Sequence, residues 1–326
     1  MSRRRPARFH GLLPVFKKAG PTSHDVVDMA RKALHERRIG HTGTLDPMAE
    51  GLLLLCVGQA TRLQQFLLLW DKTYKGEIKL GHATTTYDNE GEVIEPACTP
   101  PPLDQGSLDR ITERFHGEIQ QVPPPYSAKK IAGKKLYELA RNGETVTPEP
   151  KTVVVHEFQL SPAGDDLLSL LVRTSSGFYV RSLAHDIGTA LGCGGHLHHL
   201  HRSAIGPYST DRALSQETLL NAESAEEIVN GDAWIPLEKV ELPFPEIELN
   251  PAAVQRFTHG QEVVVLNAGP SDLEKDSKVI VRDAENHLLG IASVRSVLAR
   301  GRTLNIAPSM VLGTSSETTA RPGSKS

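Results

Sequence analysis

The chain has 326 residues, 39% hydrophobic and 23% charged, with a formal net charge of −3. That length corresponds to about two domains, and the composition supports packed cores and excludes general disorder. Its longest apolar runs, Leu52 to Val57 and Phe66 to Trp70, fall far short of the ~20 residues a bilayer helix needs, which excludes a helical membrane span.

Arg3, Arg4, Arg5 and Arg8 give a basic start with no apolar run behind it, so a secretory leader is not expected and residues 1–9 read as a disordered arm. Thr22 and Ser23 can cap a helix in which Val26, Val27, Ala30 and Leu34 keep helical spacing, running to Arg37 and Arg38 with Gly40 as its stop. Gly40 to Gly51, GHTGTLDPMAEG, follows as a tight turn leading into the apolar run from Leu52. Asp46 has two readings in that turn. As local chemistry its carboxylate caps a helix begun at Pro47 by accepting free backbone amides. As a reacting group it must stay ionised and keep a lone pair free, which calls for a cation from elsewhere in the chain.

Tyr74, Gly76, Ile78 and Leu80 alternate with Lys75, Glu77 and Lys79, a half-buried strand with Tyr74 at its opening. Leu108, Ile111 and Phe115 mark a short helix after a proline-rich loop. Val153 to Leu160 and Leu167 to Thr174, joined by Ser-Pro-Ala-Gly, read as an antiparallel hairpin. Tyr179 and Arg181 then stand at the mouth of a helix striped by Val180, Leu183, Ala184, Ile187 and Leu191. The fold class is α+β, built on a largely antiparallel sheet. Pro236, Pro243, Pro245 and Pro251 mark a domain boundary. Beyond it, Val263 to Leu266, Val279 to Val281, Leu288 to Val297 and Leu304 to Ile306 predict a small β-rich domain, before a Ser/Thr/Gly-rich tail.

Charge is uneven along the chain. The first 212 residues carry 26 Lys and Arg against 23 Asp and Glu, and the remainder 10 against 16, as when a basic working domain bears an acidic appendage. Clusters at Arg31–Arg38 and Lys129–Arg141 can neutralise phosphates or simply be solvated faces. Three cysteines (Cys56, Cys98, Cys193) without a C-x-x-C pair argue against a disulfide framework and against a thiolate zinc site, and fit a reducing cytoplasm.

Together these segments resemble the TruB family of tRNA pseudouridine synthases. Gly40 to Gly51 matches that family's G-H-T-G-T-L-D-P-x-A-x-G stretch, Gln121 to Lys130 its Q-x-P-P-x-Y-S-A-x-K element, and Gly177 to Gly188 its G-x-Y-x-R-x-L-x-x-D-x-G element. Leu197, Leu200 and Arg202 fit the L-x-x-L-x-R spacing that follows. The resemblance implies a pseudouridine synthase fold, a mixed and largely antiparallel sheet flanked by helices, over residues 10–238. It further implies a PUA-like domain over 239–313 and a disordered tail over 314–326.

By the same resemblance Asp46 is the catalytic aspartate, Arg181 its ion-pair partner, and Tyr74 the ring stacked on the target base. His41, Tyr74, Tyr179 and Leu200 contact the substrate nucleotide, and Lys17, Lys129, Lys130 and Lys134 contact RNA. The implied reaction converts the T-loop uridine at tRNA position 55 to pseudouridine after the nucleotide is flipped into a pocket. It uses no cofactor or metal, and its partner is the tRNA T-arm, bound by a monomer in the cytoplasm. The chain departs from the family pattern at Lys18, which stands in place of a proline, at Thr85, in place of a frequent aspartate, and at Thr174, in place of a frequent cysteine. Lys18 predicts a less rigid loop. Two readings from other classes compete: a zinc site on His196, His198, His199 and His201 with Cys193, weakened by the lack of a carboxylate at ligand spacing, and a non-catalytic RNA chaperone.

Overall fold

A computed structural model describes residues 7–94, 97–126, 148–266, 273–298 and 303–312, with the backbone alone at 130–131 and 134–135. In chain order the strands are β1 (Gly11–Lys17), β2 (Ile39–His41), β3 (Glu50–Val57), β4 (Lys72–Leu80), β5 (Gly117–Gln121), β6 (Lys130–Ile131), β7 (Lys134–Lys135), β8 (Lys151–Pro162), β9 (Leu167–Thr174) and β10 (Gly195–Ile205). They continue as β11 (Tyr208–Ser209), β12 (Leu214–Ser215), β13 (Ile235–Pro236), β14 (Glu246–Leu249), β15 (Val263–Leu266), β16 (Lys278–Asp283), β17 (Leu288–Leu298) and β18 (Thr303–Val311). The helices are α1 (Ser23–Ala33), α2 (Gln64–Leu67), α3 (Gln105–Arg114), α4 (Val180–Ala190), α5 (Gln216–Asn221), α6 (Ala225–Val229) and α7 (Pro251–Thr258). No helix among the described residues is long and apolar enough to cross a membrane.

Two compact units result: Leu13–Leu55 with Leu68–Trp234, and Met1–Leu12 with Cys56–Leu67 and Ile235–Ser326. In the first, the sheet runs β12-β1-β3-β10-β4-β9-β8-β5, with β2 beside β3 and β11 beside β10. The expected hairpin is present, as β8 and β9 pair antiparallel. The sheet is nonetheless mixed, because β1 pairs β12 in parallel and β10 pairs β3 in parallel. Helices α3 and α4 lay Leu108, Ile111, Leu183, Ala184 and Ile187 against Ile78, Leu168, Leu170, Val172 and Leu197 of the sheet. The alternation read at Tyr74–Leu80 is thus the alternation of this core face with the opposite face.

Local signals mostly fall where the sequence puts them. Thr22 caps α1 in a reciprocal box with Asp25. The helix stops at Leu34, earlier than Arg38, because His35 takes a left-handed φ of 51° that ends the helical ladder. Pro47 starts no helix: the Asp46 carbonyl accepts the Ala49 N–H at 3.1 Å in a tight turn, and the chain passes straight into β3. Gly51, at φ 109°, has no room for a side chain, since a Cβ there would stand 2.3 Å from the Arg202 carbonyl of β10.

In the second unit a five-stranded sheet runs β14-β16-β17-β18-β15. Its core is apolar, with Phe257 of α7 set against Val279, Val281, Leu289, Val294, Leu304 and Ile306. Asn250 caps α7 with Pro251 in its first turn. Near β13, Leu12 pairs with Ile235. All three cysteines are free thiols, Cys56 and Cys193 buried and Cys98 exposed. The N-terminal arginines up to Arg5 and the tail from residue 313 lie outside the described residues.

Candidate active site

The site is organised around the turn from Gly43 to Glu50, and buried polar groups from three other segments hold it. From β1, Lys17 is wholly buried, and its ammonium donates to the carbonyls of Ala49 at 2.6 Å, Lys18 at 3.1 Å and Pro47 at 3.2 Å. Burial brings its pKa down to about 8, opposed first by the nearby Asp46 carboxylate. Just after β1, Gly20 N–H donates to the same Pro47 carbonyl at 2.8 Å. At the start of α1, the Ser23 hydroxyl accepts from Leu45 N–H at 2.8 Å and donates to its carbonyl at 2.9 Å. From β10, the buried Arg202 donates to Leu52 at 2.9 Å, Gly43 at 3.0 Å and Thr44 at 3.3 Å. Burial also lowers the Arg202 pKa, and a hydrogen bond with the Tyr74 side chain opposes that shift.

Asp46 sits at the apex of this frame and meets the cation that its second reading requires. The Nε of Arg181, from the first turn of α4, lies 2.9 Å from Asp46 Oδ2. The arginine side chain is 8% exposed and the aspartate 36%, so the carboxylate opens to solvent from a buried partner. The rest of the guanidinium is committed elsewhere. Nη1 meets Asp88 Oδ2 at 3.2 Å and the Thr86 carbonyl at 3.1 Å, and Nη2 donates to the Tyr126 carbonyl at 2.9 Å. One nitrogen therefore serves Asp46, leaving Oδ1 without a hydrogen-bond partner among the described residues. No backbone amide takes the carboxylate, so the capping reading of Asp46 fails.

The remaining predicted residues divide. Tyr74 lies in the core cluster that also holds Leu45 and Ala49, two residues of the Asp46 turn, and its side chain bonds Arg202, which in turn holds that turn. Leu200 is buried in the same cluster, opposite Gly76 across the β10–β4 ladder. Tyr179 is half-buried, and both of its backbone groups are taken by the amide of buried Gln121, at 2.8 and 3.0 Å. His41 is half-buried at the entry of the turn, accepting from Gly43 N–H at 3.3 Å, and burial lowers its pKa. Lys17 is a correction: with its ammonium spent on three carbonyls and no exposed surface, it is not an RNA contact. The side chains of Lys129, Lys130 and Lys134 lie outside the described residues.

Three contributors escaped sequence reasoning. Asp88 supplies a second carboxylate to Arg181, held in place by the Thr86 hydroxyl and the Glu90 N–H. The dense threonines of Thr84–Thr86 beside an aspartate are the signal that pointed to it. Arg202 and Gln121 stand in the TruB-like segments, but nothing in the local pattern gives either a role at the site, since a polar residue in a strand ordinarily faces water. Of the β10 histidines, His199 and His201 both approach Glu50 Oε1, at 3.5 and 3.4 Å, while His196 is buried against His82, and among the described residues they do not gather into one ligand set. Among the described residues the ligand atoms that crowd together belong to Asp283, Glu285 and His287 at the β16–β17 turn. There Asp283 already accepts from His287 N–H at 2.7 Å.

Comparison with known proteins gives three successive family matches. The TruB family pseudouridylate synthase N-terminal domain covers residues 31–180, the tRNA pseudouridylate synthase B C-terminal domain 181–244, and the pseudouridine synthase II TruB C-terminal family 245–302. The chain is 41% identical over 294 residues to a tRNA pseudouridine synthase B of Burkholderia lata, covering 90% of this chain and 89% of that protein. It is also 41% identical over 264 residues to one of Azoarcus sp. strain BH72, covering 81% and 86%. Among solved structures, an H/ACA RNP bound to a substrate RNA containing 2'-deoxyuridine matches at TM-score 0.72 and 22% identity, over 93% of this chain and 85% of that one. A Cbf5-Nop10-Gar1 complex matches at TM-score 0.72 and 24% identity, over 92% and 84%. At that identity the structural likeness speaks for the fold.

Proposed function

We propose, for a chain that belongs to the TruB family of pseudouridine synthases and isomerises uridine to pseudouridine in tRNA, that its target is the T-loop uridine at position 55 and that Asp46 is its catalytic carboxylate. The observation that carries this reading is the Arg181–Asp46 contact, in which one guanidinium nitrogen pairs one carboxylate oxygen and leaves the other free. The conversion breaks the N1–C1′ bond, turns the uracil, joins C5 to C1′, releases the C5 proton and places a proton on the freed N1, so that proton loss and gain cancel. Every bond broken or formed belongs to one nucleotide, so the balance calls for no redox partner, metal or external donor. Attack on C1′, attack on the base and abstraction of a ribose proton all begin from the same ionised oxygen, so each route needs Asp46 charged and uncapped.

Arg181 meets that need. Its charge faces the carboxylate, and the bonds to Asp88, Thr86 and Tyr126 keep the guanidinium from swinging to grip both oxygens. A uridine inside a folded loop is out of reach, so the nucleotide flips out of its stack, with the Tyr74 ring, in the same core cluster as the Asp46 turn, as the surface it stacks on. His41, whose pKa burial lowers, and Tyr179 contact the flipped nucleotide in this reading. The chain acts as a cytoplasmic monomer on the T-arm. To test this, an unmodified tRNA transcript is incubated with the protein alone and pseudouridine is mapped along it. A single conversion in the T loop is expected, and conversion elsewhere with an untouched T loop overturns the assignment of the target.

A further inference from the structure

We propose that Gln216, remote in sequence from every motif of the site, is a positioning residue for the Asp46 turn: its side-chain oxygen takes the backbone N–H of Lys18 and so fixes the segment that delivers Lys17. The proposal rests on Asp46 being the catalytic carboxylate, and it begins from the lysine that stands where the family pattern has a proline. A proline at position 18 has no N–H. Here that N–H is present and donates to Gln216 Oε1 at 3.0 Å.

The topology explains why a side chain has to serve. β1 and β12 pair in parallel through Val15 with Leu214 and Phe16 with Ser215. The ladder then ends, because Ser215 caps α5 by accepting from Thr218 N–H, and the chain turns away into the helix. Gln216 is the first residue of that helix, and its amide oxygen extends the pairing to Lys18, beyond the last backbone rung. The glutamine is 6% exposed, and its Nε2 is buried with no partner among the described residues. Burying an amide to use one of its two ends is unfavourable unless that end is needed. The neighbouring Lys18–Glu217 ion pair is more than half exposed on both sides and adds little.

The consequence passes to the site through two contacts. Lys17, bonded to the carbonyls on either side of Met48, and Gly20, bonded to Pro47, both belong to the segment that Gln216 holds. Lys18 therefore does not loosen the loop. It exchanges the stiffness of a proline ring for a hydrogen bond to a second element.

The test follows release of tritium from C5-labelled uridine in an unmodified tRNA transcript, with kcat and KM measured separately. Gln216→Leu removes the acceptor and is expected to lower kcat about tenfold with KM within twofold. Gln216→Glu keeps an acceptor oxygen at the same place, exchanges the unpartnered amino group for a second carboxylate oxygen with its charge, and is expected to retain kcat within twofold. If the leucine variant does not fold, Gln216→Met, of similar length and without an acceptor, takes its place with the same expectation. An apolar variant with wild-type kcat, or a glutamate variant as impaired as the apolar one, overturns the positioning role. A loss confined to KM does so as well. A wild-type protein that releases no tritium defeats the reading of Asp46 itself, and this proposal with it.

Discussion

The Asp46 turn and the five-stranded sheet of the second unit are held by opposite means. Around the turn the buried groups are polar and charged: Lys17, Ser23, Asp88, Arg181 and Arg202. In the small sheet the buried set is aliphatic and aromatic, with Arg282 and Ser293 as its polar members among the described residues. An apolar core is the less costly solution where stability alone is at stake, since buried charge loses hydration that pairing only partly returns. A turn that must hold one carboxylate ionised and open cannot be packed that way. Its backbone carbonyls need donors, its carboxylate needs a counter-charge, and both must come from fixed positions.

The sharpest break of this contrast is Asp46→Asn. It is expected to lower the rate by on the order of 10⁴ or more while tRNA affinity stays the same, because it removes the reacting oxygen and keeps the shape. Filter binding alongside product assays checks it, and substantial residual conversion removes Asp46 from its role. Phe257→Ala should act on the other region alone. Emptying this wholly buried ring of α7, set against that sheet, is expected to cost about 3–5 kcal/mol of its stability in denaturant unfolding. The single-turnover rate should not change while the protein stays folded.

Arg181→Lys comes next. A point charge cannot serve Asp46, Asp88 and two carbonyls at once, so a loss of about 10²-fold in kcat is expected, with a smaller change in KM. Alkaline pH sharpens the comparison further. Lys17 has its folded pKa lowered to about 8 by burial, below the 10.5 of an unconstrained lysine, so between those values the unfolded chain binds more protons. Stability linked to Lys17 should therefore rise across that window. Lys72, lowered likewise to about 8, adds in the same direction. Activity should move the other way, falling several-fold above pH 8 as the charge near Asp46 is lost. Paired pH series of melting and kcat check the opposed slopes. The smallest expected effect is that of Val264→Thr, an exposed position on β15 of the small sheet, which should change neither stability by more than about 0.5 kcal/mol nor turnover.

Much of this was legible in the residues themselves. The alternation at Tyr74–Leu80, the cap at Thr22, the β8–β9 hairpin and the stripe of α4 are short-range patterns, written within one element and satisfied there. The TruB-like segments pointed to Asp46 and Arg181 as partners, although 135 positions separate them. What stayed hidden depended on distant neighbours. Lys17 reads as a surface cation until the Pro47 and Ala49 carbonyls of another segment, with that of Lys18, surround it. Arg202 reads as one more charge on a strand until β3 and the Asp46 turn close over it. Asp88 and Gln121 acquire their roles only when α4 brings Arg181 and Tyr179 to them.

The amino-acid sequence alone determined several of the elements and the family, and singled out Asp46 as the proposed reacting carboxylate, because propensity, periodicity and motif spacing are local quantities. Tertiary structure alone decided which buried polar groups hold that carboxylate. A donor meets its acceptor only after the sheet brings β1, β3, β10 and the start of α4 together, and no single element records that meeting.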